Sequence, residues 1–155
     1  MEAINKRNGK TLTIKRTFDA PIQIVWQAWS NPKYISQWWG HKGMEVNIIE
    51  HNFKVGGAWL YSMPMPDGKE FISEGVYSEI KEPNKIVTSA NFKPMTEGVT
   101  MEMFFEDAGK QTNFTFNVHH VTEEYCKQQE EMGFFDGWGS IFVGLENYLI
   151  QLQNK

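Results

Sequence analysis

Apolar residues recur at every second position over much of segment 44–120, and this period limits the possible folds more than any other feature. A period of two indicates a β-strand with one buried face, because successive side chains of a strand point to opposite sides. The clearest apolar sets are Trp59, Tyr61, Met63, then Val99, Met101, Met103, Phe105, and finally Phe114, Phe116, Val118. Turns rich in glycine and proline separate these runs. The segment therefore predicts six antiparallel strands with one apolar and one polar face.

The residues before this segment add one strand and two short helices. Residues 11–18 alternate in polarity and predict the first strand. Pro21 begins a helix, since the first helical position needs no N–H donor. Asn31 is a favourable cap for a second helix over 33–38.

The residues after the segment are helical. Thr122 can cap a polar helix, and apolar side chains follow the helical period over 137–152. The order is thus one strand, two helices, six strands and a long final helix. It predicts an α+β fold in which a curved antiparallel sheet of about seven strands wraps around the long C-terminal helix.

Composition sets the class of protein and its expected partners. The 155 residues contain no repeat or linker, so we expect a single domain over 1–155 with its core at 11–152. A net charge of −4 gives no attraction for nucleic acid. No run approaches the ~20 apolar residues of a membrane span. The lone Cys126 favours a reducing cytoplasm, and the pattern is compatible with a monomer or a homodimer.

Several separate stretches together resemble the Aha-type family. They are FDAPIQIVWQAWSNPKYISQWW, VGGAWLY, EGVYSEIKEPNKIV, the GKQTNFTF hairpin and the late Gly137-Trp138 pair. Members are similar to the C-terminal domain of the activator of the heat-shock chaperone ATPase, within the START and pollen-allergen-like helix-grip (SRPBCC) superfamily. The resemblance covers about 11–152. It implies a helix-grip fold, whereas its implied roles range from lipid carriers and polyketide cyclases to co-chaperone domains.

A curved sheet cannot touch a straight helix along its whole length, so we expect a cavity between them. Large inward-facing side chains would line it, and a lining of methionine and aromatic residues suits a flat or flexible apolar ligand. The predicted ligand-binding residues are Trp38, Trp39, Trp59, Tyr61, Met63, Phe92, Met101, Met103, Phe114, Phe116, Phe134, Phe135, Trp138 and Phe142. Glycines in the last helix, Gly137 among them, are costly in a helix interior unless space is needed there.

No catalytic or metal-binding constellation is evident. His119 and His120 are adjacent on a strand and point to opposite faces, so they cannot share a metal. Acidic neighbours make Cys126 a poor nucleophile. The candidate polar groups of the cavity are Glu74 and His120, although the alternation around Glu74 supports either face of its strand. We predict no catalytic residue, no metal and no cofactor.

Three functions follow in order of preference. The first is a non-catalytic carrier or sensor that binds a small hydrophobic or aromatic molecule. The second is an enzyme of the cyclase or hydrolase type, which would need an acid and a base that converge in the cavity. The third is an activator of a heat-shock chaperone, implied by the resemblance alone. The full co-chaperones carry an additional N-terminal domain with no counterpart in these 155 residues, so a chaperone partner ranks last.

Overall fold

A computed structural model describes residues 4–40, 46–65, 67–93 and 96–154. Eight strands and four helices follow one another in this part of the chain. They are β1 (Ile4–Asn8), β2 (Thr11–Phe18), α1 (Ile22–Ser30), α2 (Pro32–Trp38), β3 (Asn47–His51), β4 (Ala58–Pro64), β5 (Glu70–Lys81), β6 (Lys85–Lys93), β7 (Thr96–Ala108), β8 (Gln111–His119), α3 (Glu123–Glu131) and α4 (Phe134–Gln153).

All eight strands form one antiparallel sheet in the order β1-β2-β8-β7-β6-β5-β4-β3. The predicted α+β helix-grip fold is confirmed, with a curved sheet against the C-terminal helix, but about seven strands was one too few. The missed strand is β1, whose five residues are all exposed. An edge strand with water on both faces carries no apolar alternation, so its sequence gave no signal.

The two short helices lie between β2 and β3, close to their predicted positions. Pro21 is the residue before α1 and not its first residue. Asn31 caps α2 as expected, because its side-chain oxygen accepts a hydrogen bond from the Lys33 N–H at 3.0 Å. Pro32 is the first residue of α2, one position earlier than predicted.

Two helices, α3 and α4, follow the last strand and complete the C-terminal part of the chain. The Thr122 hydroxyl accepts a hydrogen bond from the Tyr125 N–H at 3.0 Å, so the predicted cap of α3 is confirmed. Helix α4 begins at Phe134, three residues before the predicted start. None of the helices in the described part of the chain has the length and apolar composition needed to cross a bilayer.

The core lies between the inner face of the sheet and the helices. Trp59, Met101 and Phe116, which the alternation placed on the apolar face, are all buried. The opposite face is polar, and hydrogen bonds between neighbouring strands cross it, such as Thr13 to Asn117 at 2.7 Å. The predicted two-faced sheet is therefore confirmed.

Candidate functional site

A cavity of about 500 Å³ lies between the first turns of α4 and the inner face of β4, β5 and β6. The C-terminal end of α2 and the C-terminal end of α3 form its other sides. This volume falls within the range of pockets that hold small organic ligands, about 300–1,000 Å³. The cavity lies at one end of the contact between the sheet and α4.

Five of the predicted ligand-binding residues line this cavity. They come from three different elements, β4, β6 and α4, and from the residue that follows α2: Trp39, Met63, Phe92, Phe134 and Trp138. The indole ring of Trp39 is central among them. Its centroid lies 5.7 Å from that of Trp138 and 6.4 Å from that of Phe92.

Four more predicted residues surround a second, much smaller void beneath Trp39. They are Trp59, Tyr61, Met101 and Met103. The void measures about 20 Å³, enough for about one water molecule. These four side chains therefore lie on the far side of Trp39 from the 500 Å³ cavity. A ligand of several carbon atoms would not reach them without movement of Trp39.

The remaining five predicted residues lie outside the 500 Å³ cavity, which corrects their assignment to its lining. Trp38, Phe114, Phe116 and Phe142 are buried in the packed core. Phe135 is partly exposed beside Phe134, with the two ring centroids 5.5 Å apart. Alternation and helical spacing locate the inner face correctly, but they do not show how far apart the facing elements stand.

Trp39 donates a hydrogen bond to Ser73 of β5. Among the described residues of the cavity wall, Ser73 is its only acceptor. The Trp39 Nε1–H points to the Ser73 hydroxyl oxygen at 3.3 Å, and Ser73 is only 1% exposed. This bond fixes the orientation of the indole ring. It also places a polar atom at the centre of an apolar surface.

The other polar groups of the wall come from β7 and α3. The Thr96 hydroxyl donates to Gln129 Oε1 at 2.5 Å, and the Gln129 amide lies 3.9 Å from the Met132 sulfur. The described lining residues include no Asp, Glu, His, Lys or Arg. The wall is therefore uncharged in the part of the chain that the structure describes.

Glu74, predicted as a polar cavity group, lies on the outer face of the sheet, so that assignment is wrong. Its carboxylate pairs with the Lys93 ammonium at 3.0 Å and accepts a hydrogen bond from Asn91 at 3.3 Å. The hydrogen bond from Lys93 is the main cause that holds the Glu74 pKa below its usual value. Two features explain why the sequence supported both faces. Ile72 and Val76 are apolar residues that share the outer face with Glu74, and a register shift between Tyr77 and Glu79 brings Ile80 to the inner face.

His120, the second predicted polar group, is buried next to the cavity but does not line it. Its Nδ1–H donates to the Lys10 carbonyl at 3.2 Å. Its Nε2 is buried without a hydrogen-bond partner among the described residues. The rings of Tyr125 and Phe134 cover it, and burial lowers the pKa of the imidazole. His120 thus lies behind Phe134, and the assignment of its side chain to the cavity is corrected.

A hydrogen-bonded histidine and tyrosine pair beside the small void was not anticipated from the sequence. His51 Nε2–H donates to the Ser30 carbonyl at 2.7 Å, so the neutral ring accepts the Tyr61 hydroxyl proton at Nδ1, 2.6 Å away. Burial lowers the pKa of His51 and raises the pKa of Tyr61 and of Tyr77. The network ties β3 to the end of α1.

A Thr11–His119–Glu102 line on the outer face has the order of a catalytic triad. The Thr11 hydroxyl lies 2.7 Å from His119 Nδ1, and His119 Nε2 lies 2.5 Å from the Glu102 carboxylate. The three residues belong to neighbouring strands and face away from the 500 Å³ cavity, so they could not act on a ligand bound there. The described residues also hold no cluster of His, Cys, Asp and Glu that could bind a metal.

Cys126 is fully buried in α3. Burial is the main cause that raises the pKa of its thiol, with nearby Glu130 and Glu123 adding to the rise. The acidic neighbours noted in the sequence therefore act in the expected direction, but they are secondary to burial. A neutral, inaccessible thiol is a poor nucleophile.

Known proteins share this fold across nearly their full lengths. Protein Ms6760 from Mycobacterium smegmatis is 22% identical with a TM-score of 0.85, and the match covers 98% of each chain. Protein NE0264 from Nitrosomonas europaea is 24% identical with a TM-score of 0.80, over 94% of this chain and 97% of that one. The AHSA1 protein from Silicibacter pomeroyi is 19% identical with a TM-score of 0.72, over 91% and 98%.

At these identities the structural likeness establishes the fold alone. None of the curated proteins is similar enough in sequence to count as a match. A family signature gives the assignment. The Activator of Hsp90 ATPase homolog 1-like family matches residues 19–150, from the end of β2 through most of α4, and the chain belongs to this family.

Proposed function

We propose that the protein binds a small apolar or aromatic molecule in the cavity between α4 and the sheet. The observation that carries this proposal is the cavity itself, about 500 Å³ with a wall of aromatic rings and methionines. Burial of apolar ligand surface contributes about 25 cal/mol per Å² before the costs of association are subtracted. A wall of this composition supports recognition by shape and apolar contact.

Binding without catalysis is favoured over cyclase or hydrolase activity. An acid–base mechanism needs a titratable group within hydrogen-bond reach of the reacting atoms. Glu74 is on the outer face and His120 is covered by Phe134, so the two candidates do not converge. The described lining contributes hydroxyl and amide groups in their place.

The neutral dye N-phenyl-1-naphthylamine tests the proposal directly, because its emission rises in an apolar environment. We expect saturable binding with one molecule per chain, confirmed by native mass spectrometry. Gly137 lines the cavity and has open space at its Cβ position, so Gly137→Leu should fill the site and weaken binding by at least about 10-fold.

Gly144→Leu is the matched control. Gly144 lies in the same helix, also with open space at its Cβ position, but it is exposed and outside the cavity lining. This variant should bind the dye like the wild type. Equal weakening in both variants, or no saturable binding by the wild type, would contradict a ligand site in this cavity.

Family membership supports a second candidate, the activation of a heat-shock chaperone ATPase. This role requires a protein partner and does not require an occupied cavity. It is tested by adding the protein to a purified chaperone of the Hsp90 class and measuring ATP hydrolysis. Stimulation that survives Gly137→Leu would indicate a surface function independent of ligand binding.

A further inference from the structure

The cavity wall presents one buried hydroxyl whose proton has no acceptor among the described residues. This hydroxyl belongs to Ser73, which lies on the inner face of β5 between Phe71 and Gly75. Ser73 is 1% exposed and lines the cavity. A polar group buried in this way costs free energy unless it is hydrogen-bonded.

The hydrogen bond from Trp39 leaves the proton of Ser73 available. Trp39 Nε1–H can only donate, so the Ser73 oxygen is the acceptor in their 3.3 Å contact. A serine hydroxyl has one O–H donor in addition to its lone pairs. No other hydrogen bond of the Ser73 side chain involves a described residue. The O–H donor is therefore left for an acceptor inside the cavity.

The rest of the wall defines what kind of ligand could bring that acceptor. Thr96 already donates its proton to Gln129, so it is not a second free donor. The described lining has no cationic side chain that could neutralise a carboxylate or phosphate. An anion placed there would lose its hydration without compensation.

We propose that Ser73 is the polar anchor of the site and that the ligand is a neutral aromatic or alicyclic molecule with a carbonyl or ether oxygen. The oxygen accepts the Ser73 hydroxyl proton, while Trp39, Phe92 and Trp138 contact the rings. Among the described lining residues, none would compensate the charge of a free fatty acid or another anion, so the proposed ligand class is neutral. This inference rests on the proposed function, because it names the ligand class of the same cavity.

Three probes of nearly equal shape separate hydrogen bonding from apolar contact. Benzophenone carries a carbonyl acceptor, 1,1-diphenylethylene replaces that oxygen with a methylene group, and diphenylacetate carries a negative charge. Each probe is titrated into a solution of the protein with bound N-phenyl-1-naphthylamine. The displacement of the dye gives the dissociation constant of the probe. At pH 7.5 we expect diphenylacetate to bind at least about 10-fold more weakly than benzophenone.

The decisive quantity is the preference for benzophenone over 1,1-diphenylethylene, measured in variants. Ser73→Ala should reduce this preference by about 3- to 10-fold, the range for one neutral hydrogen bond. Ser73→Thr retains an O–H donor and should restore the preference. Ser78→Ala makes the same chemical change on an exposed position of β5 outside the cavity, so it should leave the preference unchanged.

The outcomes distinguish the two proposals. If the dye itself does not bind saturably, the ligand-binding function is contradicted. If the dye binds but none of the three probes displaces it or binds alone, the site stands and the proposed ligand class is wrong. If the probes bind but Ser73→Ala keeps the wild-type preference, the site stands and the Ser73 anchor is wrong. If diphenylacetate binds more tightly than benzophenone, the ligand is anionic and the neutral class is overturned.

Discussion

The two ends of the contact between α4 and the sheet are both rich in aromatic residues, yet one is solid and the other encloses a cavity. At the packed end, the Trp29 ring lies 5.5 Å from Phe114 and 6.3 Å from Phe142, so an indole from α1 fills the space between sheet and helix. At the open end, Phe92 and Trp138 are 5.3 Å apart but face empty volume on one side.

The difference lies in what stands opposite the sheet. The packed end has the bulky side chain of Phe142 on α4 and receives a second helix, α1, against β7 and β8. The open end has Gly137 on α4, where a Cβ would have no neighbour within 4 Å. Aromatic content therefore indicates a core but does not locate a cavity, because the spacing of the elements decides which rings meet a partner.

The largest expected loss of stability comes from removing an aromatic ring at the packed end. Phe114→Ala should lower the free energy of unfolding by about 3–5 kcal/mol, as a fully buried aromatic truncation does. Phe134→Ala should cost much less, because Phe134 is partly exposed and one side of its ring faces the cavity. Urea unfolding of both variants measures the difference, and equal losses would mean that the two ends are packed alike.

The adjacent tryptophans give a finer test, since each belongs to a different end. Trp38 Nε1–H donates to the Ala28 carbonyl at 2.9 Å, in place of the N–H that Pro32 lacks at that point of the chain. Trp38→Phe leaves the Ala28 carbonyl at the end of α1 without its hydrogen-bond donor. This should lower the free energy of unfolding by about 1–3 kcal/mol.

Trp39→Phe should lower the free energy of unfolding by less than Trp38→Phe does. Its hydrogen bond to Ser73 is longer, at 3.3 Å, and water in the cavity can replace the lost donor. Thermal or urea unfolding compares the two variants under identical conditions. A greater loss for Trp39 would indicate that its ring, and not the packed end, holds the helices on the sheet.

Two histidines predict a pH dependence of stability: the partly buried His51 beside the small void and the buried His120 behind the cavity wall. Burial lowers the pKa of both His51 and His120 in the folded protein. The unfolded chain then binds more protons as the pH falls below the unfolded value of about 6.5, so stability is complete above pH 7 and decreases toward pH 5.5. Urea midpoints across this window measure the loss.

Single variants assign the pH effect to each histidine. His51→Gln and His120→Gln should each reduce the dependence of the urea midpoint on pH, although each also lowers stability at neutral pH. A wild-type midpoint that stays constant from pH 7.5 to 5.5 would show that neither ring resists protonation in the folded protein.

The sequence predicted seven of the eight strands but did not predict the site. Alternation located the inner faces of β7 and β8 because the pairing between these two strands is regular along its length. It left Glu74 ambiguous, because the register shift in β5 cannot be read from residue types. Ser73 carried no signal, since a serine in a strand is ordinary until Trp39 is seen to donate to it. Long-range distances of this kind are not encoded in local patterns.

The smallest expected effect concerns the glycines of α4 and sharpens the same comparison. Gly137 and Gly144 both lie in the helix with open space at the Cβ position, so alanine at either site should raise the free energy of unfolding by about 0.5–1 kcal/mol. Gly139 differs because its Cβ would lie 3.4 Å from Arg16 Nη2, so Gly139→Ala should gain less. If Gly137→Ala stabilises the protein as much as Gly144→Ala, the helix does not need glycine for its own packing. Such a result would agree with the place of Gly137 in the cavity wall, whereas a loss of stability would show that Gly137 makes a close contact.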